Sequence, residues 1–136
     1  MPDEAVKRSL LVLIVEDELF IVLDLEAVVT GEGHAVLGPA ASVSVALDLL
    51  RQNWPDAAIL AFNLGEPVTA VAEHLFALQV PFVLASVYDK TDLLTLEGLK
   101  HAPNVGKPAN EAKLLDFLNG VKARVSWATA ATDIEQ

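Results

Sequence analysis

The chain contains no cysteine, which rules out a disulfide framework, a thiolate metal site and a thiol nucleophile. Basic residues are few: nine Lys and Arg stand against nineteen Asp and Glu, for a formal net charge of −10. A surface of that sign repels phosphate backbones, so nucleic acid is not expected as a partner, whereas a protein or a bound cation suits it. Long uncharged runs are also missing. The longest candidate, Leu10 to Val29, is broken by Glu16, Asp17, Glu18, Asp24 and Glu26, and a membrane span needs roughly 18 uninterrupted apolar residues. Met1 to Ser9 carries two basic residues, but the strand behind it is too short and too soon acidic for a signal peptide. A cytoplasmic location, away from membranes, is expected. Gly31-Glu32-Gly33 precedes a strand rather than a helix, so it is no dinucleotide loop. His34, His74 and His101 are scattered and lack metal-ligand spacing; surface or boundary positions are expected for them.

What is present is apolar material in short blocks. Of 136 residues, 53% are hydrophobic, which suits one domain with a real core. Leu10-Leu11-Val12-Leu13-Ile14-Val15 reads as a strand buried on both faces. The carboxylates of Glu16-Asp17-Glu18 follow it and repel one another unless a cation or a lysine shares the site. Glu18 to Thr30 is predicted to be a helix stopped by Gly31. Ile21, Val22, Leu25, Val28 and Val29 fall on one of its arcs, and Leu19, Phe20, Leu23 and Ala27 on another. Such a helix is expected to be covered on more than one side, by the sheet together with a neighbouring helix or by a second copy in a homodimer.

His34 to Leu37 is predicted as a second strand, closed by Gly38-Pro39. Ser42 caps a helix running to about Gln52, broken by Asn53-Trp54-Pro55. Ala57 to Phe62 is a third strand, and Pro67 opens a helix burying Val68, Val71, Ala72, Leu75 and Leu78. Pro81 to Ser86 is a fourth strand. Thr91 or Asp92 caps a short helix ending near Gly98, and Val105 sits in a brief fifth strand. Asn110 caps a last helix with Leu114, Leu118, Val121 and Val125 on one face. Residues 126–136 either extend that helix or form a tail or linker stub behind a domain spanning 9–125, with 1–8 as a lead. Five strands alternating with five helices imply an α/β fold: a three-layer α/β/α arrangement with a parallel sheet and right-handed crossovers.

In such folds ligands gather at the carboxyl ends of the strands. Those ends carry Glu16-Asp17 on strand one, Ala61-Phe62-Asn63 on strand three, Ala85-Ser86-Val87 on strand four and Lys107-Pro108 at strand five. In a flavodoxin-like order, 2-1-3-4-5, the carboxylates, the hydroxyl and the lysine converge on one spot.

In these places the chain resembles a response-regulator receiver (CheY-like) domain, the phospho-accepting module of two-component phosphorelay signalling in bacteria. The matching segments, in order, are VEDE, PDAAILAFNL, PFVLASVYD and GKP, within roughly Ser9 to Val125. Strands three and four are most similar to the receiver subgroup with a Phe-Ala-Thr-Gly-Tyr-like segment, which reads here Leu84-Ala85-Ser86-Val87-Tyr88. The resemblance implies that Asp17, helped by Glu16, holds Mg²⁺ together with the carbonyl of Asn63 and water. It implies that Ser86 and Lys107 contact phosphoryl oxygens, and that Pro108 follows a cis peptide bond aiming the lysine. Lys107 has a second reading, simple neutralisation of Asp17.

The family's phosphate acceptor is an aspartate where this sequence has Ala61, and a methyl group is neither a nucleophile nor a metal ligand. Asn63 is no substitute; Asp56 lies at the other end of the strand; Glu66 is a remote candidate to approach the metal. Val87 narrows the entrance. Asn104 stands where many receivers place a switching aromatic, leaving Tyr88 for that role. The expected function is a non-enzymatic receiver-like module acting by protein–protein interaction. Its partner is a histidine kinase, a phosphotransfer protein or a downstream regulator. The first alternative is a true phospho-acceptor whose aspartate was exchanged for alanine at position 61. A remote alternative is a flavodoxin-like small-molecule binder, which the acidic loop after strand one disfavours.

Overall fold

The computed structural model describes residues 9–61, 64–85, 105–106 and 110–135, with the side chains of the last helix described as far as residue 124. In chain order the elements are β1 (Leu11–Val15), α1 (Leu19–Gly31), β2 (Ala35–Ala40), α2 (Val43–Gln52), β3 (Ala57–Ala61), α3 (Thr69–Ala77), β4 (Phe82–Ala85) and α4 (Glu111–Glu135). All strand pairs are parallel, in the order β2-β1-β3-β4. Val105, expected in a fifth strand, joins no ladder among the described residues, but its amide donates to the Leu84 carbonyl at 2.8 Å. The predicted helix near 91–98 lies outside the described residues.

The strands are apolar on both faces because both are covered. Leu13, Val15, Ala58, Leu60 and Leu84 pack with Ala46 and Leu50 of α2 and with Val71, Ala72 and Leu75 of α3. On the opposite face Val12, Ile14, Ile59 and Val83 pack with Leu25 and Val29 of α1 and with Leu114, Leu118 and Val121 of α4. The period-two alternation along each strand thus sorts side chains into two cores.

Three expectations are corrected. β2 does not stop at Gly38 but runs to Ala40, because the register shifts between Leu13 and Val15 and sets Val15 opposite Ala40. Gly38 takes φ +97, and a Cβ there would lie 2.8 Å from the Ala40 nitrogen, so only glycine fits. Pro67 is not in the first helical turn: α3 starts at Thr69, with Val68 buried at its N-cap, and Leu78, past the helix end, is only partly buried. His34, expected at the surface or its boundary, is buried. One side of α1 shares a core with the sheet and with α4, and its other arc is exposed. Leu19 is 65% exposed, Phe20 79% and Leu23 49%.

Two caps form as the side chains dictate. Ser42 Oγ accepts from the Val45 amide at 3.2 Å, and Asn110 Oδ1 accepts from the Lys113 amide at 3.0 Å, each satisfying a donor the helix cannot. α4 continues to Glu135.

Candidate functional site

β1 and β3 run side by side, with Val15 opposite Leu60, and β3 pairs with β4 so that Ala61 faces Ala85. One step past Val15 the chain reaches Glu16, so Glu16, Ala61 and Ala85 end three adjacent strands. All three are 1% exposed. The parallel pairing brings these ends together because each crossover helix carries the chain back to the end of the sheet where the previous strand began.

Glu16 is held from two directions. Its amide donates to the Ala40 carbonyl at 2.9 Å, tying the end of β1 to the end of β2. Its Oε2 accepts from the amides of Asp17 and Glu18, at 3.0 and 3.1 Å. The carboxylate therefore folds back on its own loop and braces the entry to α1, where it also meets the positive end of the helix dipole. The Asp17 side chain is exposed at the mouth. Ala61, buried at the end of the neighbouring strand, contributes only a methyl group.

Asn63, Ser86, Val87, Tyr88, Asn104, Lys107 and Pro108, all singled out in the sequence, lie outside the described residues. The described cis peptide bond is Gly38–Pro39. Among the described residues no group of three His, Asp or Glu side chains is arranged to hold a metal ion. Here Glu16 Oε2 is engaged by backbone amides, the Ala61 side chain offers no oxygen, and Asp17 carries the exposed carboxylate of that trio. The Mg²⁺ set that the resemblance implies also takes in the Asn63 carbonyl and water, and Asn63 lies outside the described residues. Glu66 Oε2 accepts from the Val43 amide at 3.4 Å, at the start of α2.

Two polar residues at the other end of the sheet were not singled out for the work they do. The Asp56 amide donates to the Leu11 carbonyl at 2.8 Å, and Asp56 Oδ2 accepts from the Leu11 amide at 2.8 Å, a reciprocal clasp between the starts of β1 and β3. His34 Nδ1 accepts from the Leu10 amide at 3.0 Å. Burial pushes the His34 imidazole below its ordinary value of 6.5, and Lys122 adds to the effect, while Glu32 and Asp56 oppose it. A histidine just before a strand and an aspartate just after a Pro carry a weak sequence signal, because the amides they satisfy are 24 and 45 positions away. Open cavities of about 270 and 460 Å³ also lie at that end, sharing Gln79, Val80, Pro81 and Arg124, and neither includes the acidic loop.

No family model matches the chain. It is 33% identical over 107 residues to the phyllosphere-induced regulator PhyR of Methylorubrum extorquens, across 76% of this chain and 40% of that protein. The chain therefore spans about two fifths of the length of the curated relative it matches. Among solved structures it is similar to the receiver domain of the Erythrobacter litoralis PhyR response regulator, with 28% identity and a TM-score of 0.73 over 83% of this chain and 89% of that one. A variant of PhyR from Bartonella quintana, described as an anti-anti-sigma factor, gives 22% identity and a TM-score of 0.65 over 95% of this chain and 54% of that one. At that identity the likeness is one of fold. The parallel sheet, its strand order and these relatives together make the chain similar to PhyR and to response-regulator receiver domains.

Proposed function

We propose that this chain signals by docking on a protein partner and takes no phosphoryl group at the end of β3. The observation that supports this is Ala61, a buried methyl beside the buried Glu16 where the resemblance places the family's aspartate. Phosphoryl uptake needs a carboxylate oxygen as nucleophile, and a methyl group cannot supply one. The Bartonella quintana relative is described as an anti-anti-sigma factor, which favours a protein as the partner here too. In this reading Glu16 is an architectural residue, setting the loop that leads into α1, and Asp17 presents its charge to whatever approaches the mouth.

The test is phosphoryl uptake from a small acyl phosphate with Mg²⁺, followed by intact mass. The unaltered chain is expected to gain no phosphoryl group. A hydroxylamine-sensitive mass gain on the unaltered chain would overturn the reading. The Ala61→Asp variant is the companion experiment. Robust labelling there would favour the alternative of a phospho-accepting receiver that lost only its aspartate.

A further inference from the structure

We propose that the groove at the amino-terminal end of the sheet binds a small aromatic carboxylic acid, its ring against Trp54 and its carboxylate on Arg124. The proposal goes beyond the docking reading above and does not rest on it. The two open cavities of about 270 and 460 Å³ at that end share Gln79, Val80, Pro81 and Arg124, so they form one groove, of the size small-molecule sites have. The topology explains its position. Pro55 and Asp56 lead into β3, Pro81 leads into the neighbouring β4, and Val121 and Arg124 belong to α4. The acidic loop lies at the far ends of the same strands. Val80 is 4% exposed and Val121 1%, which gives the groove an apolar floor, whereas Trp54 is 68% exposed. A large ring left in water beside buried apolar side chains gains by being covered.

The polar groups decide the chemistry of the occupant. Among the described residues that line the groove, Arg124 is the one cationic side chain, and a guanidinium takes a carboxylate through two parallel hydrogen bonds. The one carboxylate in that lining, Asp56, is half-buried, and its Oδ2 accepts from the Leu11 amide at 2.8 Å, so it is committed to the clasp between β1 and β3. Trp54 and Arg124 both line the smaller cavity, so one ring with a short acid arm reaches both. Gln79 supplies an independent observation. Its φ is 61, a left-handed conformation that glycine adopts freely and a side chain only with strain. The position nevertheless carries a side-chain amide, and it lines both cavities. Strained positions of this kind cluster at ligand sites, and the amide adds a donor for the carboxylate beside Arg124.

The probe is phenylpropanoate, with phenylpropanol and phenylpropylamine as its neutral and cationic counterparts. Binding is followed by Trp54 fluorescence in the full chain carrying Trp127→Phe, which leaves Trp54 as its one tryptophan. The acid is expected to give a saturable change and to bind about fivefold more tightly than the alcohol, the margin one exposed ion pair supplies. That margin should shrink as salt rises. Arg124→Gln is expected to bring acid and alcohol to equal affinity. Gln79→Gly is expected to raise the urea midpoint and yet weaken the acid by about threefold or more, a firmer fold with a poorer site, which a purely structural role would not produce. Both substituted positions are exposed, and circular dichroism checks that the variants stay folded. Binding of the alcohol or the amine as tightly as the acid would overturn the proposal. So would an undiminished preference for the acid in Arg124→Gln, or an unchanged affinity in Gln79→Gly. A change that never saturates and matches that of free tryptophan amide would mark collisional quenching and overturn it too. None of these outcomes bears on phosphoryl uptake at the end of β3.

Discussion

His34 Nδ1 accepts a hydrogen bond from the Leu10 amide at 3.0 Å, inside the protein and between the starts of β1 and β2. The bond needs the neutral ring with an unprotonated Nδ1. His34→Ala leaves a buried amide without a partner and is expected to cost about 1–3 kcal/mol in urea unfolding.

The same bond predicts a pH dependence. Burial lowers the folded-state pKa below 6.5, so between that lowered value and about 6.5 the unfolded chain binds more protons than the folded one. The contribution of His34 is then full above about pH 6.5 and is lost as pH falls through the folded-state value. Urea midpoints measured from pH 7 downward are expected to fall in that window. The fall should be smaller in His34→Asn, whose amide oxygen accepts without titrating. Equal slopes for the two proteins would count against this role.

Gln79 sits at φ 61, just past the end of α3. There the Gln79 amide bonds the Phe76 carbonyl at 3.0 Å and the Val80 amide bonds the Leu75 carbonyl at 2.9 Å, the paired bonds that close a helix around a left-handed residue. A side chain in that conformation is strained by roughly 1–2 kcal/mol. Gln79→Gly is expected to raise stability by about 0.5–1 kcal/mol, read as a higher urea midpoint at an unchanged slope.

Glu16 braces its loop through one carboxylate oxygen shared by two amides. Glu16→Gln keeps a carbonyl oxygen for both and is expected to be tolerated better than Glu16→Ala, which should cost about 1–3 kcal/mol. Thermal or urea unfolding of the pair reads the difference. If alanine and glutamine were equally harmful, the negative charge rather than the acceptor would be what the loop requires.

Ser42 Oγ holds the Val45 amide at 3.2 Å. Ser42→Ala is expected to destabilise by about 0.5–2 kcal/mol, and Ser42→Asp, which retains an acceptor and adds a favourable charge at the helix start, by much less. The comparison is again read from urea midpoints.

The sequence by itself determined the layers of this protein and where its function would be sought. Apolar blocks such as Leu10 to Val15 and Ala57 to Leu60, separated by helical periodicity, leave a parallel sheet covered on both faces as the arrangement that buries them. Ser42 and Asn110 announce their helices because a cap is a contact between near neighbours in the chain. The methyl at Ala61, where the resemblance places the family's acceptor, is legible for the same reason: it is read off one position.

Tertiary structure decided what depends on distant partners. Whether Leu19, Phe20 and Leu23 are covered turns on what packs outside α1, and periodicity alone reports only that the helix is apolar on two arcs. The length of β2 follows from a register shift against β1 that sets Val15 opposite Ala40. His34 and Asp56 become structural through amides that only folding brings within reach. Glu16 reads as one of three similar acids until the fold buries it and turns its carboxylate onto its own loop. Local sequence dictates hydrogen bonds to nearby amides and the pattern of burial; the pairing of strands dictates which carboxylate is walled in and which is exposed.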